Sequence, residues 1–257
     1  MLSIRSSFWF AHRLQSFINP HYLSAMSRPA HRFVLFGADF SGGRLVIDLL
    51  RRVADARYGP LPPTWQVESL LKRRHFFPLR HIKQQQLACS DYAFGFKLSA
   101  SDLMSTHHMS EPHRFMELLH NQGYKVIRLQ RRDLMRHGLA ILKAQQTQKR
   151  SIHPPDLVAT FKQLDEQRIA EAAIVAQVPH LTITYETDLL DPNVHNTTAQ
   201  RLCHFLGLKQ RQRAQYPMKL VHQQISDLID NYDEVRVALE KSEYAYALTE
   251  ASAKLVI

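Results

Sequence analysis

The stretch Phe33-Val34-Leu35-Phe36-Gly37-Ala38-Asp39-Phe40-Ser41-Gly42-Gly43-Arg44-Leu45 constrains this chain more than any other. An apolar run passes into a turn of small residues. Apolar side chains then recur at helical spacing through Leu45, Val46, Leu49, Leu50 and Val53, which predicts a strand, a tight loop and a helix seated on a sheet. The spacing of Gly37 and Gly42 is that of the G-x-x-x-x-G-K-[ST] loop, whose backbone N–H groups and helix N-terminus hold an anionic group. The next two positions differ from that pattern. Gly43 stands where the nucleotide triphosphatase lysine would be, and Arg44 where a hydroxyl would ligate magnesium. A cation without a metal-ligating hydroxyl suits a nucleotide handled without magnesium better than it suits ATP. An ordinary strand-to-helix turn is the other reading of the same residues.

Strand and helix patterns alternate downstream. The sequence predicts helices over 43–56, 65–72, 111–120, 132–148, 155–176, 192–206, 221–229 and 232–239, with strands over 94–98, 124–129 and 181–185. On the long helix, Leu157, Phe161, Leu164, Ile169, Ala172 and Ala173 form the expected apolar side. Strands separated by helices imply a mostly parallel sheet with right-handed crossovers, so the expected fold is an α/β three-layer sandwich with a P-loop-like strand-loop-helix. Ligands of such sheets bind beyond the carboxyl ends of the strands, which brings together the loop at 37–44, the segment after Leu129 and the pair Tyr185-Glu186.

With 257 residues the chain can bury one substantial core, and residues 31–257 are expected to form a single domain. Residues 1–30 contain arginines and serines but no carboxylate, the first acidic residue being Asp39. They form a basic extension, either a transit-like segment or sequence upstream of a start at Met26. No apolar run approaches the roughly 20 residues of a spanning helix, so no transmembrane segment is expected. The expected location is cytoplasmic, with peripheral membrane association and organelle targeting both left open. Cys89 and Cys203 lack metal-ligand spacing and read as small buried hydrophobes in a reducing compartment.

A formal charge of +10 points to an anionic partner. The basic clusters Lys72-Arg73-Arg74-His75, Lys149-Arg150 and Lys209 to Arg213 are short and separated; solvated helix ends are the plain explanation of them, and the preferred one for at least the last. No helix-turn-helix, RNP or zinc pattern is present, so no specific nucleic-acid partner is expected. Arg131 and Arg132 follow a predicted strand and open a helix, where their forks could meet a second phosphate bidentately. Two cationic sites at two strand ends suit a nucleotide with phosphates at both ends of its ribose. Pairing of the arginines with Asp133 is the alternative.

Together these segments resemble the sulfotransferases that use 3′-phosphoadenosine 5′-phosphosulfate (PAPS), closest to the bacterial carbohydrate type acting on trehalose, lipopolysaccharide or nodulation factors. Ser41-Gly42 with Leu45 resembles the Ser-Gly-x-Thr-x-Leu loop, and Phe94-Gly95-Phe96-Lys97-Leu98 the Gly-x-Lys-Leu strand. Arg131-Arg132-Asp133 with Ala144-Gln145-Gln146-Thr147, Tyr185-Glu186-Thr187-Asp188-Leu189, Phe205-Leu206-Gly207 and Asn231-Tyr232-Asp233-Glu234-Val235 are similar to later family segments. There are departures. Phe40 stands where the family has Lys or Arg, Gly43 and Arg44 replace hydroxyl residues, and Ala140 replaces the 3′-phosphate serine.

The resemblance implies a donor site formed by Asp39, Phe40, Ser41, Gly42, Gly43, Arg44 and Leu45, with Arg131 and Arg132 on the 3′-phosphate. It implies metal-free transfer of a sulfuryl group from PAPS to a hydroxyl of a carbohydrate or glycolipid. Arg44 would supply the displaced positive charge and Lys97 would stabilise the transferring group. Glu68 is the first candidate for the base, with Asp39 and His75 behind it. A catalytically lapsed nucleotide- or glycan-binding protein is the alternative, and a P-loop kinase would need a lysine at Gly43 and a hydroxyl at Arg44. No motif specifies the acceptor or the oligomeric state.

Overall fold

Phe33, Val34, Leu35 and Phe36 are all fully buried, so strand β1 (His31–Phe36) is covered on both faces. That is the environment of a central strand in a parallel sheet with helices on either side. The structure, a computed structural model, describes residues 31–53, 66–88, 93–145, 151–209 and 224–248. In chain order, β1 is followed by α1 (Gly43–Val53), β2 (Gln66–Ser69), α2 (Pro78–Ala88), β3 (Ala93–Leu98) and a π turn at Asp102–Thr106. Then come α3 (Pro112–Asn121), β4 (Tyr124–Gln130), α4 (Leu134–Gln145), α5 (Pro154–Val175) and β5 (His180–Thr184). A second π turn at Tyr185–Leu189 and a 3-10 turn at Pro192–Val194 lead into α6 (His195–Leu206), α7 (Ile225–Leu228) and α8 (Tyr232–Glu240).

The five strands lie in the order β2-β3-β1-β4-β5, every neighbouring pair parallel. Phe33, Leu35, Ile127, Leu129 and Ile183 face α1 and α6, whereas Val34, Phe36, Phe96 and Val126 face α2, α3 and the end of α5. The protein is therefore an α/β three-layer sandwich. The crossover from β1 to β2 runs toward one edge of the sheet and the later crossovers toward the other. A constant right-handed crossover requires the first helix and the later ones to take opposite faces, as they do. Since the chain leaves β1 and β4 in opposite directions, a crevice is expected at the carboxyl ends of these adjacent strands.

Three expectations change. Residues 66–69 form strand β2 rather than part of a helix over 65–72, because pairing with β3 at the sheet edge overrides a short ambiguous apolar pattern; Trp65 lies outside the described residues. Helix α2 has no counterpart in the sequence reading, and it buries only Ile82 and Gln86. On α5, Ile169 is 73% exposed, and Ala173 is exposed as well. The buried stripe Leu157, Phe161, Leu164 continues instead to Glu171, Ile174 and Val175. The predicted helix over 132–148 is α4, from Leu134 to Gln145, and that over 221–229 is α7; residues 146–148 and 221–223 lie outside the described residues.

Residues 1–30, Cys89 and Lys149-Arg150 also lie outside the described residues. Cys203 is a buried free thiol, and burial pushes its pKa up to about 11. Among the described residues no helix is long and apolar enough to cross a membrane.

The sheet interior yields a test. A Cβ at Gly95 on β3 would fall inside the van der Waals boundary of the Phe33 ring, which is itself fully buried. Gly95→Ala is expected to lower stability by about 1–3 kcal/mol through overpacking, measured by urea denaturation. An unchanged midpoint would contradict the packing of β1 on β3.

Candidate anion-binding site

The turn after β1 is shaped by what surrounds it. The Gly37 N–H donates to the Leu98 carbonyl of β3 at 3.0 Å, and a Cβ on Gly37 would lie 2.6 Å from the Leu129 carbonyl of β4. Only glycine fits between the two strand ends. The chain then bends through positive φ at Phe40 (61°) and Gly42 (102°), where a Cβ on Gly42 would meet Leu189 Cδ1 at 2.6 Å. For a bulky residue such as Phe40 this conformation is strained.

Side chains hold the strained turn by its carbonyls. Ser41 Oγ donates to the Ala38 carbonyl at 2.6 Å, His137 Nε2 to that of Asp39 at 2.6 Å, and Arg131 Nη1 to that of Phe40 at 3.0 Å. Lys97, at the end of β3, pairs with the Asp39 carboxylate. A carbonyl can only accept, so His137 carries its proton on Nε2. Burial holds the His137 pKa down at about 4, which keeps the ring neutral at pH 7. Helix α1 starts at Gly43, and its first-turn N–H groups have no intrahelical acceptor and form the positive end of the helix dipole.

The segment after β4 is organised by carboxylates and by α5. Glu186 accepts from the Arg132 and Asp133 N–H groups at 2.9 Å each, and Asp133 caps α4 by accepting from the Arg136 N–H at 2.9 Å. Arg168 of α5 donates to the Arg131 and Arg132 carbonyls at 2.5 and 3.2 Å. The Arg131 guanidinium lies 4.5 Å from the centre of the Tyr185 ring, and burial pulls its pKa below the usual arginine range. The Arg132 side chain is exposed and bonds to no described residue.

Between the loop and this segment opens a pocket of about 390 Å³, lined by Ser41, Arg131, Arg132, His137, Arg168 and Glu171, with Arg128 and Tyr246 completing the wall. Four arginines thus surround one carboxyl group. Burial pushes the Glu171 pKa up to about 7, against the pull of Arg128, Lys97, Arg168 and the Ala38 N–H. Glu171 Oε1, Arg128 Nε, Arg131 Nε and His137 Nδ1 are buried without a hydrogen-bond partner among the described residues. Such orphaned atoms in a cleft call for a polar ligand or water. The arrangement can bind a multiply charged anion, and Glu171 can exchange a proton near neutral pH.

The structure brings together some of the sequence candidates and separates others. Asp39, Ser41, Gly42, Lys97 and Arg131 share the loop environment. Gly43 is buried against Leu129, and Leu45 packs partly into the core between α1 and α6, so both position the loop. Arg44 is exposed on the first turn of α1 and does not line the pocket, and Phe40 is half-exposed. Glu68 lies on β2, which β3 separates from β1 in the sheet. His75 stacks on His81 at 3.8 Å and is absent from the pocket wall.

Arg128, His137, Arg168 and Glu171 were not singled out from the sequence. A signal was there for two of them: Arg168 and Glu171 extend the stripe 157, 161, 164 at the same three- and four-residue steps. Charges at the inward positions of an otherwise apolar helix face mark a polar interior.

No family model matches the chain. No curated protein and no solved structure matches it either. The site stands on its geometry alone.

Two buried groups give stability opposite pH dependences. Glu171 titrates near 7 in the fold against an ordinary 4.5, so the native state holds the extra proton between these values and its contribution to stability falls as pH rises through that window. His137, at about 4 against 6.5, contributes stability that is present above 6.5 and lost as pH falls toward 4. In urea denaturation across this range, Glu171→Gln is expected to gain stability relative to the wild type progressively from about pH 4.5 to 7. A difference independent of pH would contradict the burial of this carboxyl.

Proposed function

We propose that this chain binds PAPS and transfers its sulfuryl group to a hydroxyl of a carbohydrate or glycolipid. One observation carries the reading: the glycine turn after β1 and the arginine segment after β4 border a single cationic pocket and are tied by the bond from Arg131 to the Phe40 carbonyl at 3.0 Å. A nucleotide charged at both ends of its ribose suits two groups of donors that border one pocket. The start of α1 would receive the 5′-phosphosulfate, and Arg132, whose side chain is exposed and bonds to no described residue, would meet the 3′-phosphate.

In the transfer, the bond from sulfur to the acceptor oxygen forms as the bond from sulfur to the phosphate oxygen breaks, releasing 3′-phosphoadenosine 5′-phosphate. Negative charge spreads onto the equatorial and leaving oxygens, where Lys97 and the helix N-terminus stabilise it. The acceptor proton passes to a carboxylate. Asp39 is the foremost candidate, because it lies in the loop itself with an exposed side chain paired to Lys97. Arg128 and Arg168 would supply the positive charge that Phe40 does not, and N–H donors in place of the hydroxyl that Ala140 lacks.

A second reading is binding without transfer. It is favoured by the engagement of Arg131 with Phe40 and Tyr185, and by the exposure of Arg44 away from the pocket. Calorimetry with 3′-phosphoadenosine 5′-phosphate, beside a PAPS-dependent transfer screen over sugars and glycolipids, separates the two. The wild type is expected to bind, Arg132→Ala to bind at least about tenfold more weakly for loss of a charge-assisted contact, and at least one acceptor to be sulfated. Binding with no transfer would establish the second reading, and no binding at millimolar ligand would end both.

A further inference from the structure

The segment joining β2 to α2 carries the largest exposed aromatic surface among the described residues: Phe76 is 96% exposed and Phe77 69%. Phenylalanine is ordinarily an interior residue, and two adjacent exposed rings are a patch that demands a partner. The flanking chemistry is cationic. Between Ser69 and Ala88 stand Lys72, Arg73, Arg74, Arg80 and Lys83, all of them exposed, and no carboxylate.

The rings are held outward by a fixed base. Leu70 and Leu71 are buried, His107 Nε2 bonds the Leu71 carbonyl at 3.1 Å, and His75 stacks on His81 at 3.8 Å. Helix α2 follows at once and turns Ile82 and Gln86 inward, which leaves Arg80 and Lys83 on its outer side. All five strands are parallel, so this segment, leaving the carboxyl end of β2, shares the sheet edge on which the pocket opens.

We propose that residues 72–83 form an interfacial anchor that docks this protein on an anionic lipid bilayer. Phe76 and Phe77 enter the boundary between headgroups and acyl chains, and the surrounding lysines and arginines meet lipid phosphates. A nucleic acid or a sulfated polysaccharide is a weaker match. Either would use the cations, but a base-stacking surface interleaves single aromatics with cations along a groove, whereas these two rings are consecutive at the bend that opens α2. The anchor does not depend on the sulfuryl-transfer reading.

The test is co-sedimentation of the full chain with phosphatidylcholine vesicles, with and without phosphatidylserine, at low and physiological salt. The wild type is expected to bind the phosphatidylserine vesicles and not the neutral ones. Phe76→Ser with Phe77→Ser, both at exposed positions, is expected to weaken that binding at least about tenfold, since each ring loses its transfer from water. Lys72→Gln with Arg73→Gln and Arg74→Gln is expected to abolish the preference for phosphatidylserine. The proposal is overturned if the wild type does not sediment with either vesicle, or if the double phenylalanine variant binds as the wild type does. It is also overturned if random duplex DNA or heparin competes for the patch with an affinity indifferent to the two rings.

Discussion

The carboxyl edge of the sheet depends on how the turn after β1 is held. Phe40 occupies a backbone conformation that costs of order 1–3 kcal/mol for a side chain of this kind. Hydrogen bonds from Ser41, His137 and Arg131 to three consecutive carbonyls, each contributing about 1 kcal/mol, offset that cost. These donors come from the turn itself, from α4 and from the residue that follows β4. The turn therefore cannot relax without disturbing α4 and the arginine segment, and its shape is coupled to the pocket it borders.

The second constraint is the charge beneath the turn. Burying arginines and a glutamate is costly unless each finds partners, and here the pairing is incomplete: a Glu171 oxygen and three nitrogens, on Arg128, Arg131 and His137, lack them among the described residues. A fold selected for stability alone would fill this space with apolar side chains. Incomplete satisfaction together with a carboxyl titrating near neutrality is the pattern of a site that binds something.

The layered architecture was legible because its signals are local. The apolar run at 33–36, the glycine turn and the clear strand at 124–129 each declare themselves within a few residues, and order alone then implies a parallel sheet. Strand β2 was misread because four residues at a sheet edge carry too little pattern to outweigh their neighbours. The loop and the arginine pair could be named from the sequence, since a turn of glycines and a doublet of arginines are chemically conspicuous. Arg168 and Glu171 were not, because Ile169, Ala172 and Ala173 drew the apolar stripe away from the face that is actually buried. His137 is tied to the site by a bond to a backbone carbonyl 98 residues distant, which no local pattern reveals.

The central claim is that the glycine turn and the arginine segment form one site for one ligand charged at both ends. Crystals of the protein grown with 3′-phosphoadenosine 5′-phosphate test it most directly. Continuous ligand density is expected from the first turn of α1 to Arg132, with one phosphate at each end and the ligand filling the cleft above Glu171. Density in which the two phosphates lie elsewhere, or an arginine pocket that holds only solvent at saturating ligand, would contradict it.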